Sequence, residues 1–359
     1  MKTLHRLANA RTLAAAATLA VVGASCTLGP DFQPPEAEGS QRWKHGLASE
    51  ATVVPQRWWT LFADAELDRL VGLAVERNQD LQSALARVEQ ARAVAGIARS
   101  EQWPRLSVDP SVQREQFSGN RSTPSGVNGS SYTSTTFDLP LVASYEVDLW
   151  GRVRRSREAA EAGARATEYD YAALSLAISS EVARTYFALR SALREEDVLR
   201  AGSDLRRRAL EIVAGRARAG VGTDLDTSRT RAELATVEAE LRGVARGRAA
   251  LENALAVLCG SAPAEFSANA TVDPELVPSV PAGLPSELLR RRPDVAAAVE
   301  RMHEASARIG LTEAEPYPRL SLTGAAGFVS TDLAHLFDPE SQAWYGGDGF
   351  VQWLRCRVR

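Results

Sequence analysis

The chain has 359 residues, 45% hydrophobic and 24% charged, which excludes a disordered chain and predicts two or three domains or one large assembly-forming subunit. Lys and Arg (42) nearly balance Asp and Glu (45), and a net charge of -3 excludes a generally basic nucleic-acid binder. Three scattered cysteines (Cys26, Cys259, Cys356) exclude a disulfide framework, and four dispersed histidines (His5, His45, His303, His335) offer no metal spacing.

Residues 1–25 read as an export signal. Lys2, Arg6 and Arg11 form a charged start, and Leu13 to Ala24 is an uncharged run of h-region length. Small residues then lead into a cysteine, Val22-Gly23-Ala24-Ser25-Cys26. That is a lipobox pattern, in which the Cys26 thiol is acylated and begins the mature chain. Gly23 stands where a larger aliphatic residue is more usual, and an ordinary signal peptide with an incidental cysteine is the alternative. Thr27, rather than an aspartate, follows the cysteine, which resembles the rule for lipoproteins sent on to the outer membrane. Each buried methylene of an acyl chain contributes about 0.8 kcal/mol. Pro30, Pro34 and Pro35 exclude helix, so residues 26–62 are expected to form a lipidated tether.

No internal stretch is long and apolar enough for a membrane helix, so entry into a bilayer would be by strands or by a lipid. Two segments alternate as strands do. In 104–113, Leu106, Val108 and Val112 share one face, against Ser107, Asp109, Ser111 and Gln113. From 137 to 149 every odd residue is apolar: Phe137, Leu139, Leu141, Ala143, Tyr145, Val147, Leu149. Such length suits a tilted strand crossing a bilayer, although a soluble sandwich gives the same alternation. A Gly/Ser/Thr/Asn stretch near 118–135 predicts the connecting loop. Trp103, Tyr145 and Trp150 are candidates for interfacial aromatics.

From Leu141 to Ala262 there is no proline. Gly151 to about Ala214 is rich in helix formers, with apolar residues at 171, 174, 178, 182, 186, 189 and 193. Some 64 residues at about 1.5 Å each extend roughly 95 Å. A turn is expected from Gly215 to Gly222, with Thr223 or Asp224 capping a returning helix. That helix carries a heptad seam: Leu234, Val237, Leu241, Val244, Arg248, Leu251, Leu255, Leu258. Steps of 3 and 4 imply left-handed coiled-coil packing. The seam stops at Cys259-Gly260, a helix end, with Cys259 expected to be a small buried residue.

A shift of 214 residues lays 77–107 onto 291–321 without a gap. Asp80 meets Asp294, Arg87 meets Arg301, Gly96 meets Gly310, and Pro104-Arg-Leu-Ser107 meets Pro318-Arg-Leu-Ser321. Alternation then continues through Leu320, Leu322, Gly324, Ala326 and Phe328. A helix followed by a strand thus occurs twice. This spacing is far longer than a solenoid unit and indicates duplicated halves. Residues 63–270 form the first repeat and 284–359 an incomplete second one. The equivalent of Gly260 would fall near position 474.

Four motifs carry a resemblance: Cys26-Thr-Leu-Gly-Pro-Asp-Phe-Gln-Pro-Pro35, Trp58-Trp-Thr-Leu-Phe62, Tyr145-Glu-Val-Asp-Leu-Trp-Gly-Arg152 and Leu289-Arg-Arg-Arg-Pro-Asp294. In order and spacing they resemble the TolC-like outer-membrane efflux factors, in the NodT-type lipoprotein branch. The resemblance implies an α+β membrane protein: outer-membrane β-barrel strands plus long periplasmic coiled-coil hairpins forming an α-barrel tunnel. It implies a homotrimer with four strands per subunit in one twelve-stranded barrel. Its partners would be outer-membrane lipid, a periplasmic adaptor and an inner-membrane pump, often of the resistance-nodulation-division class. It implies no cofactor. Gly220-Val221-Gly222 resembles the tip where adaptor hairpins dock, with a plain helix-capping glycine as the alternative. Thr223, Asp224 and Asp226 are the polar tip residues. Asp226 matches an aspartate that helps hold the tunnel closed, with a helix-dipole carboxylate as the alternative.

After Trp344-Tyr345-Gly346-Gly347 the resemblance leads to a fourth strand and a helix, whereas the chain reads Asp348-Gly-Phe-Val-Gln-Trp-Leu-Arg-Cys-Arg-Val-Arg359. The expectation is a frameshift or truncation near residue 347, three strands per subunit, unpaired edges in lipid, and no open channel from this product alone. An enzyme is not expected. There is no G-x-S-x-G, and Gly220-x-Gly222 lacks the third glycine of a phosphate loop. A lipid-anchored periplasmic adaptor with a coiled-coil hairpin is the rival reading, and a remnant without transport function the third.

Overall fold

A computed structural model describes residues 27–35, 55–120, 131–270 and 291–351. The export signal, Cys26 and most of the expected tether lie outside the described residues. The described residues fall in two compact units: 27–35, 90–120, 131–166 and 298–351, and 55–89, 167–270 and 291–297.

The second unit is helical. A 3-10 turn, Trp58–Phe62, precedes α1, Ala65–Arg77. Asp64 caps α1 by accepting from the Glu66 and Leu67 amides. α2 spans Gln79–Ser100 and α3 Arg152–Arg218, each with residues in both units, and α4 spans Asp224–Leu258. The core joins Leu67, Leu70, Val71 and Ala74 of α1 to Val182, Ala183, Tyr186 and Leu189 of α3 and Leu255 of α4. Asn78, itself buried, closes two helices at once. Its side-chain oxygen accepts from Asp80 and Leu81 at the start of α2, and its nitrogen donates to the Leu258 carbonyl at the end of α4. All eight seam residues of α4 are buried or half-buried, as the heptad spacing predicts. Cys259 is buried, and Gly260 follows at φ +64°, where a Cβ would meet the Arg77 carbonyl oxygen at 2.3 Å.

The first unit carries one antiparallel sheet: β1 Arg105–Val108, β2 Ser111–Phe117, β3 Tyr132–Val147, β4 Arg319–Ser330 and β5 Gln342–Val351. The order is β1-β3-β4-β5, with β2 also pairing β3. α5, Pro293–Ala314, precedes β4. The duplication shows in the element bounds. α2 and α5 start at 79 and 293 and end at 100 and 314, while β1 and β4 start at 105 and 319, each pair 214 apart.

Four expectations are corrected. The strand expected at 104–113 is two strands. β1 pairs with residues 141–144 of β3 and β2 with residues 132–138. The interruption at Asp109-Pro110 faces Leu139-Pro140. Prolines without an N–H stand on both sides of the gap, so the ladder stops where neither can donate. The long helix runs on to Arg218, so Gly215 is helical and the turn is only 219–223. Helix formers surround Gly215, and its cost there is about 1 kcal/mol. A strand beyond those expected is present: β5 pairs with β4 from Phe328↔Gln342 to Arg319↔Val351, and the sheet has five strands among the described residues. The expected count of three strands per subunit is therefore wrong. Ladder bonds are made by the backbone, so the Gly324↔Gly346 pair does not interrupt them. Finally, residues 27–35 are not a free tether, since several bonds hold them within the first unit.

Candidate functional site: an amphipathic sheet and a capped hairpin tip

Partners in an antiparallel register project to the same face. Leu139, Leu141, Ala143, Tyr145 and Val147 of β3 pair with Phe328, Ala326, Gly324, Leu322 and Leu320 of β4. Leu106 and Val108 pair with Ala143 and Leu141, Val112 with Phe137, and Trp344 with Ala326. One face is therefore apolar along β1, along β3 from Phe137 to Val147 and along β4 from Leu320 to Phe328, while Arg114 and Gln116 of β2 and Gln342 of β5 bring polar residues to it. Leu106, Val108, Val112, Leu141, Leu322 and Trp344 on it are exposed. The opposite face carries Ser134, Thr136, Asp138, Ser144 and Glu146 of β3 with Ser321 and Thr323 of β4. A continuous greasy face left open to the outside is the surface a bilayer covers. β3, at 16 residues, extends about 50 Å, enough to cross a hydrocarbon core when tilted. No helix among the described residues is long and apolar enough to cross.

Aromatic pairs mark both ends of the sheet. Phe117 stacks on Tyr132 at 4.8 Å, and Trp150 packs on Tyr317 at 4.8 Å. The Trp150 indole donates to the Pro318 carbonyl at 3.0 Å, and Trp103, two residues before β1, is exposed.

The Tyr145–Arg152 motif is the junction from strand to long helix. Arg152 is held by both oxygens of Glu146, at 2.7 and 2.8 Å. Asp148 accepts from the Val153 and Arg154 amides, satisfying the first turn of α3. Gly151, at φ +82°, makes the bend.

At the other end of α3 lies the tip. The Gly220 amide donates to the Ala217 carbonyl at 3.1 Å and the Val221 amide to the Arg216 carbonyl at 3.0 Å, with Gly220 at φ +75°. This pair of bonds is a Schellman closure, so Gly220 is a helix-capping glycine. A Cβ on Gly222 would stand 3.0 Å from the Ala217 nitrogen. Thr223 caps α4, accepting from the Asp226 amide at 3.2 Å, while its hydroxyl donates to the Asp226 carboxylate at 2.6 Å. Asp224 lies in the same first turn, where the helix dipole favours a carboxylate. Val221 and Leu225 are exposed apolar residues at this tip.

The structure also gives weight to residues that periodicity did not single out. Asp64 accepts from the Tyr186 hydroxyl at 2.9 Å and from Arg190 at 3.1 Å. Burial, then the Asp64 carboxylate, push the Tyr186 hydroxyl well above its ordinary range. Asn78 and Arg155 carry no periodic signal, because each acts singly through partners far away in sequence or through backbone groups. The phrase Asn78-Gln79-Asp80 was the only local cue to a cap.

The outer membrane efflux protein family matches residues 70–261 and 284–354. The chain is 34% identical over 328 residues to the solvent efflux pump outer membrane protein SrpC of Pseudomonas putida, covering 89% of this chain and 69% of that protein. It is 31% identical to outer membrane protein OprJ of Pseudomonas aeruginosa, covering 91% and 68%. Its fold is similar to the Campylobacter jejuni CmeC outer membrane channel, with a TM-score of 0.80 and 28% identity over 92% of this chain and 71% of that one. Sheet, hairpin and duplication agree with these likenesses and leave the adaptor reading unsupported: the chain belongs to the outer membrane efflux protein family.

Proposed function

We propose that this chain is the outer-membrane channel subunit of a tripartite efflux system, passing substrates from an adaptor and an inner-membrane pump across the outer membrane. The observation that carries the reading is the in-register apolar face shared by β1, β3 and β4. Supporting it are the names of the relatives, an efflux pump outer membrane protein among them. Self-association into a trimer accounts for the sheet edges. Among the described residues β5 pairs only with β4, and β1 and β2 only with β3, so further copies of the chain would complete the ladders. Acylation of Cys26 would add a lipid anchor.

The tip is proposed as the adaptor surface. Gly220, Val221 and Gly222 present backbone and one apolar side chain, and Leu225 adds another. Asp224 and Asp226 supply charge beside them, Asp226 in the proposed gating role while also held by Thr223.

The test is site-directed cross-linking in cells. Val221→Cys is expected to cross-link to a co-expressed adaptor, whereas Ala250→Cys in α4 is not. Equal cross-linking at both positions, or at neither, would remove the tip from the account.

A further inference from the structure

Residues 27–35 are seated in a built groove. The Leu28 amide donates to the Trp150 carbonyl at 3.1 Å. Arg155, with a side chain only 4% exposed, turns two of its three nitrogens to this segment. It donates to the Leu28 carbonyl at 3.0 Å, the Gly29 carbonyl at 3.1 Å and the Asp31 carboxylate at 2.9 Å. Its remaining nitrogen reaches Glu158 at 2.8 Å. Glu158 also faces His303 at 2.9 Å, and the His303 ring stacks on Phe32 at 4.6 Å with 11° between planes.

The backbone is cut to fit. Gly29 has φ +86°, and a Cβ there would lie 2.3 Å from the Gly310 Cα. A Cβ on Gly310 would lie 2.7 Å from the Leu28 carbonyl oxygen, and one on Gly151 2.7 Å from Thr27. Gly96, the equivalent of Gly310 in the other repeat, has open space around it. The two repeats therefore differ here, and the groove at Gly310 is occupied by the segment that follows Cys26.

A buried guanidinium is costly to desolvate unless its donors are satisfied. Here the acceptors come mainly from a segment more than a hundred residues away in sequence. We propose that Arg155 is the positioning residue that docks residues 28–32 and thereby holds the lipid anchor at the junction of β3 and α3. The Gly29-Pro30-Asp31-Phe32 part of the N-terminal motif is its ligand. The proposal rests on Cys26 being acylated.

Hydrogen exchange of the detergent-solubilised full chain, read by mass spectrometry on peptides covering 27–35, tests it. Arg155→Met is expected to speed exchange there about tenfold or more, and Asp31→Asn and Phe32→Ala by smaller factors, while β3 and α3 stay unchanged. Unchanged exchange at 27–35 in Arg155→Met and Asp31→Asn overturns the proposal. If Arg155→Met fails to fold, Asp31→Asn and Phe32→Ala decide, because they alter only the docked segment. The mass of the N-terminal peptide reports acylation separately. A protected segment without acyl mass refutes the lipid reading and its link to the anchor, but leaves the docking by Arg155 standing.

Discussion

Arg248, the one charged residue in the apolar seam of α4, lies 2.9 Å from Glu196 of α3. Glu196 is also held by Arg200 at 2.7 Å. A charge in a core position costs stability and specifies register: Glu252 of the same helix, at 3.5 Å, is there in any alignment, but only one alignment of the two helices brings Glu196 to Arg248.

Removing one member of that pair leaves the other short of a partner. Arg248→Met is expected to destabilise the chain by about 1–3 kcal/mol, the remaining bond to Arg200 limiting the loss. Arg248→Leu combined with Glu196→Leu is expected to fall within about 1 kcal/mol of the native chain. Thermal unfolding followed by circular dichroism at 222 nm checks both. A double variant as unstable as the single one contradicts the assignment.

Burial pushes the Cys259 thiol up to about 11. The folded state keeps the thiol neutral, whereas the unfolded chain ionises it near 9. Its contribution to stability is therefore full below pH 9 and lost between about pH 9 and 11. Thiol alkylation at pH 8 should be slowed about 100-fold or more relative to the unfolded chain, since the thiolate is the nucleophile. Mass spectrometry of the Cys259 peptide during alkylation measures this.

Gly327 lies directly across from Pro140, and a Cβ there would stand 2.1 Å from the Leu139 carbonyl oxygen. Gly327→Val is expected to separate β3 from β4 and abolish heat-modifiable migration on gels. Ala325→Val, two residues earlier on the same strand, is expected to keep it.

At the tip, Gly220 needs a positive φ that other residues reach only at a cost of about 1–2 kcal/mol. Gly220→Val should fray the last turn of α3 while leaving the sheet intact. Hydrogen exchange at 214–223 should rise, with β3 and β4 unaffected.

Much of this was legible beforehand, because period and spacing survive without a structure. The seam through Leu234 and Leu258, the odd-numbered face of β3, the capping by Thr223 and the 214-residue offset all follow from residue order. The break between β1 and β2 was not legible. Pro110 alone reads as a strand end, and only the register shows Pro140 opposite the gap. Strand β5 was missed because Gly346 and Gly347 carry no side-chain pattern, although their backbones complete the ladder. The Arg155 groove was hidden because its bonds join residues 28 and 155, and carbonyl partners leave no trace in composition.

Contact of the apolar face of the sheet with lipid is tested most directly by single cysteines at Leu320, Leu322 and Phe328 on that face and at Ser321, Thr323 and Val329 on the other, labelled in native outer membranes and probed with lipid-borne and aqueous quenchers. The expected result is strict alternation, with 320, 322 and 328 quenched from the lipid and 321, 323 and 329 from water. Equal aqueous quenching of both sets would contradict it.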